Sequence, residues 1–205
     1  MTPAEPGPRE ADRRSRPLRA DARRNRERVL EAAELVLASE GMSVPIDEVA
    51  RRAGVGVGTV YRQFPTKEAL FEAILLRRLE RLLEEARSRG AAADPGEAFF
   101  GFLEHLVEVA TSKRDLADAL SRAGIDIEAS VSSVIQELAG ALEELLGRAQ
   151  RSGAVRDDVG TPELFGLVAG TCMAADRRFP AACTPQRMLG IVFDGLRPAG
   201  RRDGG

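Results

Sequence analysis

The chain has 205 residues, with 30 Lys/Arg against 32 Asp/Glu, one His and two Cys, and 43% of it is hydrophobic. That is length enough for one large domain or two small ones around a packed core, and too much apolar content for a wholly disordered chain. The longest uncharged run, 164–175, has 12 residues including Gly166 and Gly170, short of the ~20 that span a bilayer, and two thiols make neither a disulfide scaffold nor a four-ligand zinc site.

The net charge of -2 hides an uneven distribution. Residues 1–67 carry 13 Lys/Arg and 10 Asp/Glu, and 68–205 carry 17 and 22. The stretch 9–28 alone holds nine Arg against four acids. A basic end on an acidic body points to an anionic partner met by the N-terminal part, with a solvated tail as the plainer reading. The N-terminus has no apolar core of a secretory leader, and the chain is expected in the cytoplasm, off any membrane.

Residues 1–20, with Pro3, Pro6, Pro8 and Pro17, are expected to form a disordered Arg-rich arm, and 198–205 a flexible tail. Between them the apolar spacing predicts helices and no strand. The first, 23–40, has Val29, Ala32, Ala33, Val36 and Leu37 on one face and Gly41 beyond its end. A short helix over 46–53 follows Pro45 and stops at Gly54. A second short helix over 57–64 carries Val60 and Phe64 inward and stops at Pro65. Thr66 caps a long helix over 67–89.

Further on, Asp94-Pro95, Thr161-Pro162 and Thr184-Pro185 each read as a cap followed by proline at the first helical position. They predict helices at 95–112, 162–178 and 185–197, with others at 114–122 and 126–151. The expected architecture is all-α, about nine helices. It comprises a three-helix helix-turn-helix domain at 21–67 and a second helical domain at 68–197.

Two short helices joined by Gly54-Val55-Gly56 behind a longer amphipathic helix form a helix-turn-helix pattern. Its second helix offers Val57, Gly58, Thr59, Tyr61 and Gln63 to base edges, with Tyr61 and Lys67 placed for phosphates. A nucleotide-binding glycine loop needs a preceding strand and G-x-G-x-x-G spacing, and neither is present.

The stretch 29–75 resembles the DNA-binding domain of the TetR family of bacterial transcriptional regulators. The matching residues are AA-E-L at 32–35, Gly41, D-E-V-A at 47–50, AGV at 53–55, GT-VY at 58–61, Phe64 and T-K-E-A-L at 66–70. The resemblance implies a recognition helix at 57–63, a double-stranded operator, a homodimer and a helical C-terminal domain that binds a small molecule. Pro45 and Gly56 depart from the family pattern, which usually has hydroxyl-bearing caps there. Phosphate contacts are then expected from backbone N–H groups, Tyr61, Lys67 and the Arg-rich arm.

The second half says less. Phe102, His105, Leu106, Val109, Ile135, Leu138 and Phe165 are the expected lining of an effector pocket, with plain core as the alternative for each. One His and scattered carboxylates make a poor metal site, and no G-x-S-x-G nucleophile signature is present. No catalytic set, metal or cofactor is expected. The apolar, small-sided helices at 162–178 and 185–197 are expected to pair with their mates in a dimer. The alternatives are a DNA-binding regulator governed by a protein partner or by thiol chemistry at Cys172 and Cys183 and, more distantly, an all-α enzyme.

Overall fold

The computed structural model describes residues 8–40, 43–122, 127–173 and 184–198, and among these it forms eight α-helices and no strand. In chain order they are α1 (Pro8–Glu40), α2 (Ile46–Ala53), α3 (Val57–Gln63), α4 (Lys67–Arg89), α5 (Pro95–Arg122), α6 (Ile127–Arg151), α7 (Thr161–Met173) and α8 (Pro185–Leu196).

Eight helices replace the expected nine because α5 runs unbroken through Arg122. The charged stretch near Lys113 contains neither Gly nor Pro, so nothing in it ends a helix. The start of α1 also differs. Residues 8–20, expected as part of a disordered arm, are helical. Arg, Glu, Ala and Leu there are good helix formers, Pro8 takes the tolerated first position, and only Pro17 stands inside. Residues 1–7, the segment 174–183 with Cys183, and the tail from 199 lie outside the described residues.

Local signals explain the other boundaries. Thr66 Oγ1 accepts from the Ala69 N–H at 3.1 Å, Asp94 Oδ1 from the Glu97 N–H at 2.9 Å and Thr184 Oγ1 from the Arg187 N–H at 3.2 Å. Each satisfies an amide that the first turn leaves unpaired. At α7 the expected Thr161 cap is replaced. Gly160 precedes the helix, and its N–H donates to Glu163 Oε2 at 2.9 Å, the reciprocal half of a capping box.

The chain divides after Ile74 into two compact units, later than the expected boundary at 67. Buried Leu70, Phe71 and Ile74 place the first turns of α4 with the first unit. The core of that unit includes Val29, Ala33, Val36, Val49, Ala50, Val60 and Phe64. The second unit is built on Leu82, Phe99, Phe102, Leu103, Leu142, Leu145, Leu146 and Leu164, all within one buried cluster. Gly153, at φ 76°, turns the chain beyond α6 in a conformation that glycine adopts without strain. Gln150 Nε2 then holds the following loop by donating to Arg156 O at 3.0 Å and Val159 O at 2.9 Å.

Candidate nucleic-acid interface

The first unit builds its exposed edge from a tight turn. Ile46, Val49, Ala50 and Ala53 bury one side of α2. Gly54 then turns left-handed at φ 66°, and its N–H reaches the Ala50 and Arg51 carbonyls. Gly56, extended at φ -69° and ψ 144°, opens α3 without a side-chain cap. Its carbonyl accepts from the Thr59 N–H at 2.8 Å and the Val60 N–H at 3.3 Å. Pro45 likewise gives α2 no side-chain cap. Neither α2 nor α3 is therefore capped by a side-chain hydroxyl.

Behind α3, Val60 is 0% and Phe64 2% exposed. In front, Val57 and Tyr61 are exposed at 36% and 48%, and a Cβ added at Gly58 would meet nothing within 4 Å. Thr59 is half-buried at the border. An α-helix is about 10–12 Å across with its side chains and fits a major groove ~12 Å wide. Gly58 keeps its outward edge low enough for close approach of the backbone.

Two expected contacts are placed differently. Gln63 stands three residues after Val60, on the core side, and is half-buried. Its Oε1 is enclosed and has no hydrogen-bond partner among the described residues. Lys67 is also half-buried, with Nζ 5.4 Å from the centroid of the Phe71 ring one turn along α4. Arg62, which is not among the contacts expected from the sequence, is on the exposed side. Its spacing of four from Gly58 was the available signal.

Ion pairs brace this edge. Glu48 accepts from Arg51 Nε at 2.8 Å and Nη2 at 2.6 Å, and from Arg52 Nε at 3.0 Å. Arg52 also reaches Glu40 at 3.0 Å, joining α2 to the end of α1. The Arg51 hydrogen bonds, opposed by desolvation and helped by Arg52, hold the Glu48 carboxyl at about 2 rather than 4.5.

Residues 29–74 match the model of bacterial regulatory proteins of the tetR family, and 94–198 match that of the SbtR-like transcriptional regulator C-terminal domain. The chain belongs to the TetR family. It is a DNA-binding transcriptional regulator. The HTH-type transcriptional repressor KstR of Mycobacterium tuberculosis is 30% identical over 144 residues, 69% of this chain and 66% of that protein. The KstR of Mycolicibacterium smegmatis is 30% identical over 146 residues, 69% and 71% of the two chains. Among solved structures, the TetR transcription regulatory protein from Mycobacterium vanbaalenii is similar with a TM-score of 0.72 and 43% identity, covering 88% of this chain and 99% of that one. The TetR regulator SCO0520 from Streptomyces coelicolor has a TM-score of 0.69 and 33% identity, covering 85% and 99%.

In this TetR-family chain the residues expected around a pocket all fall in the second unit. Phe102, Leu106 and Leu138 belong to the buried cluster, with Val109 and Phe165 packed against it. Ile135 is 43% exposed. His105 is half-buried, and its Nδ1 is paired with Glu85 Oε2, whose other oxygen accepts from Arg89 Nε at 2.7 Å. None of these seven residues lines the open groove of about 860 Å³ bordered by Asp94, Glu97, Phe100, Glu104, Phe193 and Arg197. Within that groove the Phe100 and Phe193 rings lie 4.9 Å apart and the Arg197 guanidinium sits 4.9 Å from the Phe100 centroid. Sequence spacing gave no sign of the groove, because its walls come from the start of α5, the turn after α6 and the end of α8. No described helix is long and apolar enough to cross a membrane.

Proposed function

We propose that this regulator is a repressor that binds a palindromic operator as a homodimer in the cytoplasm and leaves it when a small molecule occupies the second unit. The observation that carries the reading is the outward edge of α3. Val57, Gly58 and Tyr61 stand exposed around a fully buried Val60, a surface that serves no core of its own. Val57 is suited to a thymine methyl and the Tyr61 hydroxyl to a phosphate. Thr59, at the border of this edge, adds a second methyl. Gln63 reaches a base only if its carboxamide turns out of the site it occupies, and Lys67 reaches a phosphate only by leaving the Phe71 ring.

Support for the dimer comes from α7 and α8. Leu167, Met173 and Ile191 are exposed at 39%, 52% and 62%, and Gly166, Gly170 and Gly190 beside them have open space where a Cβ would stand. An apolar, small-sided face of this kind fits close helix pairing with a second copy. Support for repression comes from the relatives, which are named repressors.

Release by an effector requires different affinity for the DNA-competent and incompetent states. Reversing a 1:99 population takes ~5.5 kcal/mol of differential binding. Selection of bound sites from random duplexes tests the reading. Two inverted half-sites, about 34–36 Å apart centre to centre, are expected. A single asymmetric site, or no enrichment, defeats the proposal. A metabolite screen that leaves affinity for the selected site unchanged defeats the effector part alone.

A further inference from the structure

The first unit divides its arginines by partner. Arg24 pairs with Asp21, Arg51 and Arg52 share Glu48, and Arg52 also holds Glu40. Arg26 lies over the Phe64 ring. Arg23, Arg28 and Arg62 are exposed and have no acidic partner among the described residues. Arg28 and Arg62 stand at the two ends of α3. The Arg28 guanidinium lies at the turn that feeds α3, with Nη2 2.7 Å from where a Cβ on Gly54 would stand. Arg62 is in the last turn of α3 itself.

We infer that Arg28 and Arg62 form a two-ended phosphate clamp, gripping the duplex backbone at either end of the recognition helix without reading sequence. This rests on the DNA-binding reading above. Arg28 belongs to α1, so it stays outside a groove that α3 fills. Arg62 is in the last turn, whereas the first residues of a recognition helix meet base edges. A guanidinium released from any internal ion pair keeps its full charge for a phosphate oxygen and suits bidentate contact. Asp21, Glu40 and Glu48 are engaged by other arginines of this unit, which leaves the charge of Arg28 and Arg62 where the backbone would pass.

The test uses the full chain carrying Arg28→Gln, Arg62→Gln or both, with affinity measured against salt on the selected site and on a random duplex. Because a dimer carries the substituted residue twice, each single substitution is expected to lower the slope of log affinity against log salt by roughly 1.8, about 0.9 for each lost phosphate contact. Affinity should fall several-fold on both duplexes, with their ratio unchanged. Arg28→Lys and Arg62→Lys should keep the wild-type slope, because a phosphate accepts any cation. Arg51→Gln, which removes a charge already paired with Glu48, should also keep it. Wild-type slopes in both glutamine variants overturn the clamp. So does loss of discrimination at one base pair in Arg62→Gln, which would make that residue a base reader. A slope lowered equally by Arg51→Gln overturns the sorting by partner. Wild-type protein that binds no duplex removes the DNA-binding reading itself, whereas binding that survives with unchanged slopes removes only the clamp.

Discussion

The Arg26 guanidinium carbon lies 4.4 Å from the centroid of the Phe64 ring, so a residue of α1 covers the side chain that closes α3. An exposed cation on an aromatic face contributes about 0.5–1 kcal/mol. Arg26→Ala is expected to lose that amount in urea unfolding. In a Phe64→Leu background the same substitution should cost almost nothing, and a double-mutant cycle checks the coupling.

Acid should loosen the first unit through Glu48. Its carboxyl titrates at about 2 in the folded chain and at 4.5 without its arginines. On acidification the unfolded chain takes up this proton first, so the contribution is whole above 4.5, declines as pH falls, and is gone at about 2. Thermal unfolding of Glu48→Gln and wild type between these limits should converge as pH drops. Curves that stay parallel would deny the Arg51 and Arg52 contacts this role.

Gly54 is at φ 66°, and a Cβ there would press on the Arg28 guanidinium at 2.7 Å. The left-handed conformation costs a non-glycine residue roughly 1–2 kcal/mol. The flexible end of Arg28 can move aside. Gly54→Ala is therefore expected to lose about that much in chemical denaturation and to displace Arg28 from the turn.

Gly58 makes the opposite case. It is in a helix, and an added Cβ meets nothing within 4 Å. Alanine there should stabilise the fold by roughly 0.5–1 kcal/mol and weaken binding to the selected operator, since the methyl lifts the backbone away from the groove. A variant more stable and equally tight would show that Gly58 makes no close approach.

Ile191, 62% exposed on α8, should matter to assembly and little to the fold. Ile191→Asp is expected to sediment as a monomer while its unfolding free energy per subunit, measured at concentrations where wild type is dissociated, changes by no more than about 0.5 kcal/mol. A variant that remains dimeric would remove α8 from the interface.

The helix-turn-helix was legible because its punctuation is strong. Pro45, Gly54 and Pro65 bound α2 and α3, and the expected 46–53 and 57–64 agree with Ile46–Ala53 and Val57–Gln63. The candidate contacts were less legible. Two turns of helix leave only a few residues per side, and Gln63 was read as outward although its spacing from Val60 sets it beside the core. Lys67 turns on a ring four residues away, a choice that charge alone does not predict. In the second unit, apolar spacing marks residues that avoid water but does not separate a filled core from a pocket wall. Phe102 and Leu138 both lie in the buried cluster.

Val60 and Phe64 fasten α3 from behind, while the exposed Val57 and Gly58 stand outside that attachment. The reading surface is thus detachable from the scaffold in an evolutionary sense. Target preference could drift, or be retuned in a library over these two positions, with folding left nearly untouched.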